Sequence, residues 1–412
     1  MPTSCESGMI VRARAVVTMD RPPIGNGAVE ICGNEILQVG KFDQIKTCSS
    51  GPLIDLGERA LLPGLINAHC HLDYTCLHRR IPRQQSFADW IRAINSEKSK
   101  LAPHDYVASI NKGFAEAKTF GTTTIVNLTA FPQLIRDLSN VPIRTWWFPE
   151  LIDVRSLNGT NKLVDSALES LKSAKNCGLA PHAMYTASKN LYRRCERADP
   201  NLLLTTHLAE SREEMEMFRD GSGPLYELMK SIGRPMDDCG YDTPLMHFIQ
   251  ATASSISLPD NKDWIVAHLN ELSEMDFKLL EKMKTSIHVV HSPRSHRYFG
   301  HTQFPFRRLK EIGLNICLGT DSLASNESLS LFAEMRAFQH VEPESSPEQI
   351  FKMVTVNAAL ALRQQNKLGQ IRPGFRADLV AIPCNERDDL FDQIIAFDGN
   401  VDWMMVDGRT TT

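Results

Sequence analysis

A chain of 412 residues, 42% hydrophobic and 23% charged, has the composition of an ordinary soluble globular protein and exceeds the usual length of one domain. Its formal net charge of −4 gives no electrostatic reason to expect nucleic acid or an anionic membrane as partner, and no apolar run approaches the length of a membrane span. Met1 to Arg14 contains Glu6 and Arg12 without a continuous apolar stretch, so it does not read as a signal peptide. The ten cysteines are scattered with no Cys-x-x-Cys pair. Free thiols in a reducing compartment, the cytoplasm, are the expectation.

From Met9 to about Asp55 the text is short, strand-like and rich in turn residues. Ile10-Val11, Ala15 to Met19, Ala28 to Ile31 and Glu35 to Val39 are punctuated by Pro22, Pro23, Gly25, Gly27, Gly33-Asn34 and Gly40. This predicts a small antiparallel sheet. From about Leu61 to Leu368 the rhythm becomes strand, loop, helix. Candidate strands are Gly64–His69, Thr122–Leu128, Ile143–Phe148, Leu179–Tyr185, Leu202–His207, Trp264–His268, Ser286–His291 and Asn315–Gly319. Amphipathic segments lie between most of them, as in Glu271–Met283, where Leu272, Met275, Leu279 and Leu280 share a side and Ser273 is a candidate N-cap. Pro305–Ile312 and Leu329–Phe338 read similarly. Eight strands alternating with helices predict an α/β fold, a closed (β/α)₈ TIM barrel over residues 61–368. After Gly369, Asp378–Ile382 and Val401–Gly408 read as strands again. Residues 1–60 and 369–412 are therefore expected to form one small composite β-sandwich domain.

Barrel chemistry sits where strands end. The first barrel strand ends in His69-Cys70-His71, and strand alternation puts the two imidazoles on one side and Cys70 on the other. Two such nitrogens begin a divalent-metal site. The fifth strand ends in His207-Leu208-Ala209-Glu210, the sixth in His268-Leu269-Asn270, the seventh in His291-Ser292-Pro293 and the eighth in Gly319-Thr320-Asp321. Three imidazoles and a carboxylate with one open position make a catalytic rather than a structural set.

Taken together, Pro63-Gly64-Leu65-Ile66-Asn67-Ala68-His69-Cys70-His71, His207-Leu208-Ala209-Glu210 and Leu318-Gly319-Thr320-Asp321-Ser322 resemble the amidohydrolase superfamily. They are most similar to its branch of nucleoside and nucleobase deaminases and s-triazine hydrolases. Gly374-Phe375-Arg376-Ala377-Asp378-Leu379-Val380 resembles the motif by which such chains re-enter the small sandwich. The resemblance spans nearly the whole chain and implies His69, His71, His207 and Asp321 as ligands of one divalent ion, Zn²⁺ or Fe²⁺, between which imidazoles do not choose. It implies Glu210 as the shuttle of a proton to a ring nitrogen, His268 as a hydrogen-bond partner of the attacking oxygen, and Asp321 as acceptor of a second proton. The implied reaction is hydrolytic deamination of a purine-type nucleoside, nucleobase or related amino-heterocycle, with ammonia released. The alternative is displacement of chloride or alkylamine from a triazine-like ring. Partners would be the heterocycle and water, with a homodimer or higher homo-oligomer implied by the family and by symmetry base rates.

Plainer roles stand beside these. Glu210 also suits the first turn of a helix starting near Ser211, and His268 suits a hydrogen-bonded structural position. Trp90, Glu150, His182, Arg294 and His296 are candidate substrate contacts, with packing as the alternative for Trp90 and His182 and a polar loop for Arg294 and His296. Two departures from the family bear on substrate. His291-Ser292-Pro293-Arg294-Ser295-His296 replaces a more usual His-Cys-Pro-x-Ser-Asn, through Ser292 and His296. Soon after the third strand, methylthioadenosine/S-adenosylhomocysteine deaminases are expected to carry Arg, whereas the text here is Trp146-Trp147-Phe148-Pro149-Glu150-Leu151-Ile152-Asp153; Glu150 would bring negative charge toward the pocket, which disfavours copying that substrate and leaves aminofutalosine deaminases as a candidate. A binuclear hydrolase of cyclic amides needs a carboxylated Lys on the fourth strand, where His182 stands and no Lys occurs before Lys189. A non-catalytic relative would be expected to have lost ligands that are all present here.

Overall fold

In the computed structural model the described residues are 8–138, 141–155, 157–256, 263–283 and 285–411. The chain opens with five strands: β1 (Met9–Val16), β2 (Ile24–Cys32), β3 (Glu35–Lys41), β4 (Leu53–Asp55) and β5 (Arg59–Pro63). Eight more follow at wide spacing: β6 (Leu65–Cys70), β7 (Thr122–Thr129), β8 (Arg144–Leu151), β9 (Asn176–Pro181), β10 (Leu203–Leu208), β11 (Trp264–His268), β12 (Ile287–His291) and β13 (Asn315–Leu318). The tail adds β14 (Leu379–Pro383), β15 (Trp403–Val406) and β16 (Arg409–Thr411).

Strands β6 to β13 pair in chain order as one parallel sheet. Parallel neighbours need crossovers, and helices supply them, so the strands are buried on both faces and read as continuous apolar runs. In β10 and β11 every residue is buried. Helices are set by local signals. Ser273 accepts from the backbone N–H of Asp276 at 3.3 Å and starts the helix Glu274–Met283, while Ser330 accepts from Ala333 and starts Leu331–Val341. The sheet curls until its ends meet. Cys70 bridges Asp321 in parallel register, and the N–H groups of Thr320 and Asp321 both donate to the His69 carbonyl at 3.1 Å. Asn67 ties the same seam, donating to Thr320 Oγ1 at 2.8 Å and accepting from the Thr320 N–H at 3.2 Å. This is the predicted (β/α)₈ barrel.

Both chain ends form a second sheet, in the order β16-β15-β14-β5-β1-β2-β3, with β4 beside β1. The expected antiparallel sheet is corrected here. β1 pairs β4 and β5 in parallel, because the chain completes the β1-β2-β3 meander and a short helix before returning in the direction of β1. The tail enters as foreseen: β14 runs antiparallel to β5, with Leu379 opposite Pro63. The motif residue Asp378 anchors sheet to barrel, its carboxylate accepting from Arg144 Nε and Nη2 at 3.1 and 3.2 Å. Three further differences matter. The fourth barrel strand is Asn176–Pro181 rather than Leu179–Tyr185. Pairing runs on past Pro181 as isolated contacts, the His182 N–H donating to the Leu151 carbonyl at 3.0 Å and Ala183 bridging His207, and the chain then turns as Thr186 and Ala187 donate to the Ala183 carbonyl. The expectation of free thiols holds for eight cysteines among the described residues, but Cys32 is disulfide-bonded. Among the described residues, no helix is long and apolar enough to cross a membrane.

Candidate active site

The seam between β13 and β6 decides what the barrel mouth contains. His69 and His71 project from the end of β6, and their Nε2 atoms lie 3.2 Å apart. His207, from the end of β10, brings its Nε2 to 3.3 Å from that of His71. Ligand atoms of the three lie within 4.8 Å of one another, the arrangement of a group that can hold a metal ion. Asp321 arrives across the seam, its Oδ1 3.8 Å from His69 Nε2 and 3.6 Å from His71 Nε2.

Protonation and tautomer suit a cation. Burial holds the imidazole of His69 down to about 3, helped by the neighbouring His207. Burial, then His69 and His207, hold His71 well below its ordinary range, and burial lowers His207 as well. All three are therefore neutral and keep a lone pair. His207 Nδ1–H donates to the His182 carbonyl at 2.9 Å, which leaves Nε2 as the bare nitrogen facing the cluster. Burial works to raise the Asp321 carboxyl, yet the imidazoles of His69 and His268 and the Ser295 hydroxyl outweigh it and hold Asp321 ionised. Three convergent imidazole nitrogens on neutral rings, with one carboxylate, fit a divalent ion.

Glu210 follows the end of β10 on a backbone turned by Ala209 at φ 50°. That turn is fixed from behind. Ser211 caps the helix Arg212–Met215, and Glu214 Oε2 accepts from the Glu210 N–H at 2.8 Å, while Asn270 Nδ2 donates to the Glu210 carbonyl at 2.8 Å. Burial pushes the Glu210 carboxyl well above its usual range, and the nearby Asp321 and Glu214 add to this. Its Oε1 lies 3.7 Å from His268 Nε2, an atom with no hydrogen-bond partner among the described residues. His268 is itself held at φ 82°, with its ring stacked 5.4 Å from that of His207. Positive φ in Ala209, His268, Leu269 and Asp321 gathers backbone strain at three strand ends around one cluster, a pattern common at functional sites.

Glu214 gives a pH test. Burial pushes its carboxyl up to about 8, so its ionised form is disfavoured in the fold. The stability it allows is complete below its unfolded value of about 4.5 and is lost as pH rises toward 8. Glu214→Gln keeps the carbonyl that accepts from Glu210. The fall in Tm between about pH 5 and about pH 8.5 is expected to be smaller in this variant than in the parent by several degrees, as read by thermal unfolding.

A sequence profile of the amidohydrolase family matches residues 60–411. This chain belongs to the amidohydrolase family. It is 28% identical to 5-methylthioadenosine/S-adenosylhomocysteine deaminase of Pyrococcus furiosus, covering 97% of this chain and 94% of that protein. It is 26% identical to 5'-deoxyadenosine deaminase of Methanocaldococcus jannaschii, covering 92% and 89%. Among solved structures, Helicobacter pylori aminofutalosine deaminase in complex with methylthio-coformycin superposes with a TM-score of 0.86 at 21% identity, over 98% of this chain and 100% of that one. A zinc-bound adenosine deaminase of Xanthomonas campestris gives 0.79 at 20%, over 98% and 92%. Atrazine chlorohydrolase of Arthrobacter aurescens with zinc gives 0.79 at 18%, over 98% and 94%. At such identity these structures establish the shared fold.

Not every candidate of this amidohydrolase reaches the imidazoles. Glu150 and His182 do. Glu150 Oε1 lies 3.7 Å from His71 Nδ1 and 3.8 Å from His182 Nε2, and burial pushes its carboxyl up to about 8 against the pull of Lys98. His182 Nδ1 lies 2.7 Å from Thr186 Oγ1. His296 is one step removed, with Nδ1 3.2 Å from Asn270 Oδ1. Trp90 packs on Phe87 and Phe299 and lines a cavity of about 230 Å³ with Ser211 and His301. The Glu213 carboxylate holds that wall in place by accepting from the N–H groups of Phe87 and Ala88 at 2.6 and 3.0 Å. Arg294 bonds Glu327 and Ser328 instead of the cluster. His291, left open in the sequence, packs face to face on Phe304 at 3.9 Å. Cys70 lies in the main apolar core, as alternation requires.

Two residues went unnominated. Ser295 donates to Asp321 Oδ2 at 2.6 Å, and Ser325 lies 2.8 Å from Ser295 Oγ. Ser295 stands where the family motif carries Ser, so its signal was present in the text. Ser325 had none, because its role arises only from the fold of the loop after β13.

Proposed function

We propose that this amidohydrolase is a mononuclear metal-dependent aminohydrolase that replaces the amino group of a purine-type nucleoside, nucleobase or related heterocycle by water, releasing ammonia. The observation that carries the reading is the convergence of His69, His71, His207 and Asp321, with the buried carboxyl of Glu210 3.7 Å from His268 beside them. These four would hold the ion, proposed as Zn²⁺ on the zinc-bound neighbours, with Fe²⁺ the alternative. A divalent ion there supplies the Lewis acidity that makes hydroxide available near neutral pH.

The chain's own groups then divide the proton work. Glu210, whose carboxyl burial biases toward the neutral form, donates its proton to the ring nitrogen beside the amino-bearing carbon, so that carbon becomes electrophilic and the ring accepts the electron pair, and the first proton given up by the attacking water restores Glu210. Asp321, kept ionised, accepts the second proton that the attacking oxygen loses and passes it to the departing amine. His268 donates to the attacking oxygen through its free Nε2 and steadies the developing charge. Glu150 and His182 form the wall nearest His71 and contact the heterocycle or its substituent.

The deaminase reading is favoured over displacement of chloride or alkylamine because the curated relatives spanning most of this chain carry deaminase names. The test is ammonia release by protein of measured metal content, across adenosine, 5'-deoxyadenosine, methylthioadenosine, adenine and guanine, with chlorinated and N-alkylated triazines as the competing arm. Ammonia from at least one aminopurine supports the proposal. Turnover of the triazines alone replaces it with the alternative, and no turnover in either arm by metal-loaded protein defeats both.

A further inference from the structure

Beyond the imidazole cluster lies a cavity of about 590 Å³, between the loops that follow β6, β12 and β13. Its wall carries four guanidinium groups, those of Arg79, Arg83, Arg294 and Arg297, against one carboxylate, that of Glu327. Arg294 is 9% exposed, so one of the four charges is nearly out of water. Its Nη1 donates to Ser328 Oγ and its Nη2 to Glu327 Oε2, both at 2.8 Å. Glu327 is the exposed member of that pair, its side chain 72% accessible. Arg294, then Arg297 and Arg79, hold its carboxyl below the usual range.

The cavity also comes close to the reaction centre. Ser325 lines it, and its hydroxyl lies 2.8 Å from Ser295 Oγ and 3.4 Å from Asp321 Oδ2. One residue, Ser325, thus separates the positive space from a carboxylate of the imidazole cluster. Tyr298 closes the outer wall by donating to the Ile81 carbonyl at 3.1 Å. Four like charges around one open space repel one another unless an anion fills it, and the planar fork of Arg matches a carboxylate or phosphate in two parallel hydrogen bonds.

We propose that this cavity binds an anionic substituent, a carboxylate or a phosphate, carried by the amino-heterocycle on its side away from the amino group. Glu327 occupies the Arg294 fork in the free protein and swings into solvent when the anion of the ligand takes its place. The proposal rests on the aminohydrolase reading for the heterocycle, but its test does not depend on turnover.

Calorimetric titration of the metal-loaded protein would use inosine, inosine 5'-monophosphate and inosine 5'-carboxylate, which lack the amino group to be removed. At least one of the anionic ligands is expected to bind about tenfold or more tightly than inosine at low salt, and the advantage is expected to shrink as salt rises. A greater advantage for the phosphate or for the carboxylate assigns the source of the charge. Arg294→Met and Arg297→Met should each remove most of the advantage while leaving inosine binding unchanged, and Glu327→Gln should increase it. Arg297 is exposed, so its variant decides the matter even where Arg294→Met fails to fold. Equal binding of all three ligands, no binding of either anion, or an anion preference untouched by Arg297→Met would each overturn the proposal. Anion preference in a protein that releases no ammonia from any aminopurine would keep the cavity and remove the deaminase reading. Ammonia release with no preference between neutral and anionic purines would do the reverse.

Discussion

Asp321→Asn is expected to lower kcat by at least about a thousandfold with the fold intact. The carboxylate is surrounded by donors: Ser295 Oγ donates to Oδ2 at 2.6 Å and the Ser322 N–H donates to Oδ1 at 2.8 Å. Oδ1 also faces the imidazoles of His69 and His71 across the barrel seam. Asn has nearly the same shape but turns one of those acceptors into an NH₂ group, so a donor then faces a donor. It also removes the negative charge that offsets a cation and the basic oxygen that takes a proton. Elemental analysis should show weaker metal retention, and circular dichroism should show the parent's secondary structure. A variant that keeps most of its activity would mean that the carboxylate has been assigned the wrong work.

Glu210→Gln is expected to separate chemistry from metal binding. Its backbone is clamped at both polar atoms, by Glu214 at the N–H and by Asn270 at the carbonyl, so the substituted side chain is presented along the same path. Gln fills the same volume and carries no transferable proton. The rate should fall by about 10²- to 10⁴-fold with metal content unchanged. Metal loss in this variant would make Glu210 a ligand. A rate within a fewfold of the parent would show that the ring is protonated from elsewhere.

Alternation along one strand was enough to pair His69 with His71 and to turn Cys70 away, since a period of two leaves no other choice. His207 and Asp321 were legible because each ends an apolar run, and in a parallel barrel such ends share one rim. What the text did not contain was the closure. The pairing of Cys70 with Asp321, which sets the carboxylate against the imidazoles, joins residues far apart along the chain and leaves no local mark. The fourth strand begins and ends earlier than the text suggests for a local reason, because the apolar run continues through Met184-Tyr185 although the chain already turns back on the Ala183 carbonyl. The charge and position of Arg294 suggest a substrate contact, yet its partners Glu327 and Ser328 come from the following barrel loop. Glu214 was seen as helix text, and its grip on the Glu210 amide appears only once that helix has been placed.

The mixed sheet has a consequence for biosynthesis. Strand β5 ends at Pro63 and its antiparallel neighbour β14 begins at Leu379, so the partner edge leaves the ribosome only after the entire barrel has been translated. At about 5–20 residues per second, that interval is about 15 to 60 s. During it the nascent chain exposes the open side of β5, whose Ala60, Leu61 and Leu62 are fully buried in the finished molecule. The barrel can thus assemble while translation continues, whereas the flanking sheet must wait. A message truncated before Leu379 would release a product with a sticky, unsatisfied rim, destined for chaperones or aggregates even with every metal-facing imidazole in place.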